Sequence, residues 1–314
     1  MARWHRLVDW LLSEEPATSL ALFRIAIGLI MLWDLGSMYL SDAMTLLWLP
    51  PSHGGLRQPG AEGLLARVIE PTGAAVWGVY GAAMLGAISL TIGALPRLGA
   101  AVLLLSFPWL VSLFAATGGG HDRLLTNAMF LLIFARSGAT LSLQCWLQHR
   151  RWRAGTLVSG WPRRVLVWQL IIMYTATGMQ KIGITWWPMG DFLAVHHALL
   201  LPQWARQDWS WIAWLSPLTQ LGTAVTVVWE STWGVVLWWL WLRDTADRGG
   251  RLRRLAERVN LRRVYVLIGI VFHSTLWVMM NLGPFSAVTL AYYLCLYRGQ
   301  EWRRADTSPT HSDL

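Results

Sequence analysis

The sequence predicts an all-α, polytopic membrane protein with about eight transmembrane helices and both termini cytoplasmic. Three observations carry that reading. The 314 residues are 55% hydrophobic and only 14% charged, with a mean hydropathy of +0.41; a soluble domain carries about 25% charged residues. Several apolar runs reach the length of about 20 residues that a bilayer crossing needs. The 23 tryptophans suit two interfacial aromatic belts.

The elements follow in order. Residues 1–16 read as a short amphipathic helix on the membrane surface, with Trp4, Leu7, Val8 and Leu11 on one face. Pro16, Ala17 and Thr18 open the first span, to about Tyr39. This run lacks a signal-peptide cleavage site, so no cleavable leader is expected. Leu40 to Glu70, rich in Pro and Gly, reads as a loop with one interfacial turn. Span 2 covers Thr72 to Ala94. After the Pro96-Arg97 turn, span 3 runs to Ala116, and Gly118-Gly119-Gly120 breaks the chain. Span 4 (His121 to Ala135) is short, with a polar start. A basic loop leads from Arg136 to Arg164, then span 5 from Val165 to Ile184. Trp186 to Trp214 is Trp-rich and mixed, so it reads as interfacial or partly re-entrant. Span 6 lies between Pro217 and Leu242, and a second basic loop from Arg243 to Arg263. Spans 7 (Val264 to Leu282) and 8 (ending near Tyr297) turn at Gly283-Pro284. The whole of 1–305 reads as one membrane domain, and 306–314 as a disordered tail.

Charge orients the chain. The termini, the Arg97 turn and the two basic loops together hold 20 basic residues, against five on the other side: Arg57, Arg67, Arg123, Arg206 and Lys181. The positive-inside rule then places both termini in the cytoplasm, and Lys181 and His121 near the outer face. Topology thus explains the net charge of +9 and the pI of about 10.4, and nucleic-acid binding is not expected. Cys145 and Cys295 fall at or near the cytoplasmic side and imply neither a disulfide framework nor a metal cluster. No inverted repeat of the transporter kind is visible.

Tyr174 to Trp187 stands out. Of the 26 basic residues 25 are Arg, and the sole Lys is Lys181. Arg keeps its proton in a protein, whereas a desolvated Lys can release it. A lone Lys ending a membrane helix is therefore either a snorkelling anchor or a group that must work as a free amine. Tyr174 and Gly178 lie seven and three residues before it, on one face at helical spacing. Gly178 would allow another helix, or a flat ligand, to approach closely; ordinary helix packing explains the trio equally well.

Charges inside spans cost about 2.5–3.5 kcal/mol each at the helix centre, so they need partners. Arg24 in span 1 and Glu230 in span 6 are expected to be structural, either as an ion pair with each other or as separately satisfied groups. His273 sits in mid-span 7, with Asn281 two turns on along the same face. His121 opens span 4 beside Asp122, where an acid meets the helix dipole favourably. His196 and His197 point apart on a helix and are not read as metal ligands, and no metal is expected.

These residues now show a resemblance. Phe23-Arg24, Gly28 and Asp34 in span 1, the spacing of Tyr174, Gly178, Lys181 and Trp186, Phe272-His273 followed by Gly283 and Phe285, and His121 at its helix start occur in one order. In this the chain, from about Pro16 to Leu296, resembles the membrane part of vitamin K-dependent γ-glutamyl carboxylase and bacterial relatives sharing its horizontally transferred transmembrane (HTTM) domain. The resemblance implies a quinol-dependent enzyme in the cell (inner) membrane of a bacterium, with the active site near the outer face. Lys181 then matches the catalytic base: as a neutral amine it deprotonates reduced vitamin K or a menaquinol-type hydroquinone. The quinol anion reacts with O2, an oxygenated alkoxide removes a glutamate γ-proton, the carbanion adds CO2, and the quinone epoxide remains. His121 would assist by hydrogen bonding to the quinol or its oxygenated product. Tyr174, Gly178, His273 and Asn281 are the quinol- or substrate-binding candidates.

Two departures qualify the expectation. The family's carboxylases continue into a large extracytoplasmic domain that engages the protein substrate, whereas this sequence ends at Leu314, so a protein or peptide substrate would come with a separate chain. Gln180 also stands where the family has a second Lys. The other readings are a non-enzymatic membrane protein of the same fold that binds a quinone, a lipid or a protein partner, and, more weakly, a transporter.

Overall fold

A computed structural model describes residues 2–57, 63–114 and 117–302. The chain is mostly helical, about 74%, with fourteen α-helices among the described residues. Five segments are long and apolar enough to cross a membrane: Thr18–Leu40, Gly73–Ile92, Pro96–Leu113, Ser210–Ser231 and Leu261–Met279. The expected tail 306–314 lies outside the described residues, as do 58–62 of the Pro/Gly loop and the end of span 3 at Ala116.

The chain divides into two compact units, residues 1–166 with 283–314, and residues 167–282. The first contains α1 (Ala2–Leu12), β1 (Glu14–Pro16), α2 (Thr18–Leu40), α3 (Ala43–Trp48), α4 (Gly73–Ile92), α5 (Pro96–Leu113), α6 (Gly120–Phe134), α7 (Leu143–His149), β2 (Leu157–Ser159), the start of α8 (Trp161–Met179) and α14 (Phe285–Cys295). α2 packs between α4 and α14, and α5 joins α4 to α6. Phe23 meets Tyr292 edge-on at 5.1 Å, and the Tyr292 hydroxyl donates to Leu124 O at 2.7 Å, tying α2, α14 and α6 together.

The two polar features of this unit show how buried charge is handled. Arg24 is fully buried on α2, and among the described residues no acid forms an ion pair with it. It donates instead to the backbone carbonyls of Leu90 at 2.8 Å, Thr91 at 3.3 Å and Leu141 at 2.6 Å. The first two are end carbonyls of α4, which has no further turn to use them. The acceptor end of a helix dipole also favours a cation. α4 stops at Gly93, whose φ of +68° suits glycine, and a Cβ there would strike the Arg24 guanidinium.

The second feature departs from an all-α reading. β1 and β2 pair antiparallel, Glu15 opposite Val158. The pairing presents Glu15, which is buried, to Arg163 at the start of α8. Arg163 grips Glu15 with two N–H groups, the longer bond 2.9 Å, and donates a third to Cys295 O at 2.7 Å. Arg164 binds the Leu11 and Ser13 carbonyls. Part of the second half of the first basic loop is thus a buried ionic clamp rather than a solvated run.

The second unit contains the rest of α8, then α9 (Ala194–Leu200), α10 (Ser216–Ser231), α11 (Trp233–Asp244), α12 (Arg251–Arg258) and α13 (Leu261–Met279). Trp186 to Trp214 is a string of short turns around α9, gathered on a small core of Leu199, Trp209 and Ile212 against Met279 and Met280. Two expectations are corrected. Span 6 is not one helix: it breaks between α10 and α11 at Thr232, whose hydroxyl binds Val228 O at 2.6 Å and the Tyr265 hydroxyl at 2.7 Å. α8 ends at Met179, so Lys181 lies two residues beyond the helix rather than inside it. Where spans 4, 5 and 8 were expected stand α6 with 15 residues, α8 opening on Trp-Pro-Arg-Arg, and α14 with 11 residues. At 1.5 Å rise per residue, the last is roughly half the hydrocarbon thickness.

The clamp generates a prediction. Glu15→Ala removes the carboxylate that offsets the buried Arg163 guanidinium, and is expected to cost about 3–5 kcal/mol. The thermal unfolding midpoint of the detergent-solubilised protein should fall sharply, while Glu14→Ala, at an exposed position, should leave it unchanged.

Candidate functional site

The site is built where the end of α8 meets the end of α10. Gly178 makes the approach: a Cβ there would collide with the Ser231 amide and the Glu230 carbonyl carbon. With the backbones this close, the chain turns out of α8 through Gln180 N to Ala176 O and Lys181 N to Gly178 O. That turn brings Lys181 onto Glu230, and the ammonium nitrogen and Glu230 Oε2 form an ion pair with side chains 14% and 8% exposed. Lys181 Nζ also donates to Thr177 O at 3.3 Å and stands 4.9 Å from the centre of the Trp186 ring. Its backbone is held by Trp187 Nε1, which donates to Lys181 O at 2.9 Å. An ammonium has three donors, and here a carboxylate, a carbonyl and a ring face receive them. The partner of Glu230 is therefore Lys181, not Arg24.

Two turns back along α8 is a second group. The Tyr174 hydroxyl and His273 Nε2 are 2.6 Å apart, both residues fully buried. Trp233 stacks on Tyr174 at 4.7 Å and 12°, Trp229 meets it edge-on at 4.7 Å, and Phe272 packs on Trp229 at 5.3 Å. α8, α10, α11 and α13 meet here, in an aromatic knot that encloses the hydrogen bond. Among the expected binding residues, Tyr174 and His273 thus bind each other. Asn281 does not share the His273 face: α13 ends at Met279, because Met280 bridges to Ala205 and Asn281 N donates to Trp204 O at 2.7 Å. Its side chain is exposed, where His273 is buried.

On the outside of the knot is a groove of about 340 Å³, lined by Ala224, Val225, Val228, Trp229, Thr232, Tyr265 and Ile268. Its walls are apolar apart from the Thr232–Tyr265 hydroxyl pair, and Trp229 immediately precedes Glu230. Sequence reasoning passed over this groove; its signal was the weak one of a Thr within an apolar run.

His121 belongs to the first unit. It is buried at the start of α6, with Nε2 at 3.2 Å from Asp122 Oδ1, while Asp122 Oδ2 accepts from Gly119 N at 2.7 Å. Gly283, with φ of +56°, lies beside the His121 ring. Among the described residues no cluster of His, Cys, Asp and Glu could hold a metal.

Compared with known families, the chain matches the HTTM domain over residues 13–242. That range includes Arg24, His121, Tyr174, Gly178, Lys181 and Glu230, and stops before His273, Asn281 and Gly283. No curated protein and no solved structure matches.

Two stability tests follow from the geometry. Tyr174→Phe strands a buried imidazole nitrogen and should cost about 1–3 kcal/mol. Gly178→Ala forces α8 from α10 and should cost about 1–3 kcal/mol as overpacking. Both are read as a lowered Tm in detergent. Asn281→Ala, at an exposed side chain, should leave Tm in place.

Proposed function

The chain belongs to the HTTM-domain family, the membrane part of the vitamin K-dependent carboxylase family, and on that premise we propose that it is a membrane enzyme that oxidises a lipid-soluble quinol with O2. Lys181 is the base that takes the quinol hydroxyl proton. The observation that carries this reading is the setting of the sole lysine: it lies at a junction of helix ends, largely withdrawn from solvent, with its nitrogen aimed by an acid, a carbonyl and a ring. A snorkelling anchor would extend toward water and need none of these.

The groove beside Trp229, on the face of α10 turned away from Glu230, suits the apolar part of such a ligand. Its volume falls within the range of about 300–1,000 Å³ typical of small-molecule sites, and its walls fit a flat ring or part of a prenyl chain. It opens past exposed Val225 and Val228, the side a membrane-dissolved molecule would approach from. The quinol supplies the reducing equivalents. The protein's part is to hold the ring, exclude water and accept a proton at Lys181 Nζ. Tyr174 and His273 do not touch the ligand in this reading; their knot fixes the helix ends that aim Lys181.

Where CO2 and a glutamyl acceptor are supplied by another chain, the same chemistry would support carboxylation. The wider proposal is an eight-span protein with cytoplasmic termini and Lys181 toward the outer face. The second reading, a protein that binds a quinone, a lipid or a partner without turnover, is favoured by the same groove.

The test incubates purified protein with reduced vitamin K or menaquinol and O2, and detects the epoxide by mass spectrometry. Wild type should form it, and both Lys181→Ala and Lys181→Arg should lose it, by at least the factor of about 10²–10⁴ that a general base contributes. Arg keeps the charge but cannot act as the base. Epoxide from Lys181→Arg at the wild-type rate would remove Lys181 from the chemistry. Its absence from folded wild type with either quinol would leave the binding reading.

A further inference from the structure

We propose that Glu230 is the proton partner of Lys181, so that the amine and the carboxyl act as one unit that moves a single proton along their hydrogen bond. This deepens the reading of Lys181 as a base and names the positioning residue on which that base depends.

The geometry is specific. Glu230 occupies the last full turn of α10, is 8% exposed at its side chain, and bonds directly to Nζ through Oε2. The charged side chain that acts on it is Lys181; the remaining neighbours of the pair are the Thr177 residue, the Trp186 ring and the helix ends of α8 and α10. Neither residue has another ion-pair partner among the described residues. In such an apolar site two separated charges are expensive, while a hydrogen-bonded pair can exist in either proton position. With the proton on nitrogen the pair is ammonium and carboxylate. When it crosses, an N–H bond breaks, an O–H bond forms on Oε2, and the pair becomes neutral amine and carboxylic acid with no change in total charge. Once the acid O–H turns away from the nitrogen lone pair, the amine accepts the quinol hydroxyl proton without first losing one to water. The acid therefore answers how a lysine buried against an acid can serve as a base at all.

In both proton positions Glu230 occupies the nitrogen, either by accepting its N–H or by donating an O–H to its lone pair. Removing the acid must expose that lone pair. Because Lys181 is the sole lysine, an amine reagent reports on it alone once its peptide is separated from the N-terminal one. The experiment is reductive methylation of the full detergent-solubilised chain with formaldehyde and cyanoborohydride at fixed neutral pH, followed by mass spectrometry of the Lys181 peptide. Glu230→Gln should raise the modification rate on the order of tenfold, the effect of removing one close opposite charge. Glu230→Asp, which keeps the acid with one methylene fewer, should return the rate most of the way to wild type. Tm recorded for each variant establishes that it is folded. Should Glu230→Gln misfold, Glu230→Asp still decides: a rate near wild type supports the pair, and a rate equal to that of the lysine in a short reference peptide overturns it. Equal rates in wild type and folded Glu230→Gln would also overturn it. Labelling needs no turnover, so failure to form epoxide with an altered labelling rate would count against the quinol reading and leave the pair standing.

Discussion

The structure depends on one constraint: a polar group withdrawn from water in an apolar phase must find its partner inside the chain. Each unit answers it with a different chemistry. Arg24 takes the loose carbonyls of helix ends. Arg163 takes a carboxylate that a two-strand pairing presents to it. Tyr174 and His273 take each other inside a shell of rings. Lys181 takes Glu230. Only the last of these is left partly accessible, at the junction of two helix ends.

The spans were legible where hydropathy alone decides. α2, α4 and α5 begin and end within a few residues of their expected limits, because long apolar runs bounded by Pro, Gly or Thr admit little else. Lys181 was legible because it is the single lysine. Its partner was not, since Glu230 is 49 residues away and nothing in one sequence gives the register between two helices. The expectation offered Arg24 on charge, or separately satisfied groups, and did not name Lys181. Gly178, by contrast, carried a usable signal, and the structure spends it on the backbone of Glu230 and Ser231.

The remaining differences have local causes. β1 and β2 are three residues each, too short to display an alternating pattern. The break at Thr232 falls in a run that stays apolar to Leu242, and a threonine is tolerated within helices, so composition gave no warning. Asn281 was placed by extending α13 two residues past its end; main-chain pairing with Trp204 and Ala205 draws that segment out of the helix. For the strand pair and for Asn281 a long-range backbone bond overrode a correct local pattern, and at Thr232 a hydroxyl pair with Tyr265 accompanies the break.

The break at Thr232 carries a consequence of its own. Because α10 stops there, Glu230 belongs to the final turn of a helix, whose C-terminal pole carries about half a negative charge. An acid at that pole is repelled by the helix that carries it, whereas an amine reaching in from α8 is attracted. A continuous helix through Leu242 would have put Glu230 at mid-helix, away from any pole. The interruption thus gives the junction an electrical polarity that neither side chain supplies, and the same field draws the only lysine of the chain toward the place where the acid waits.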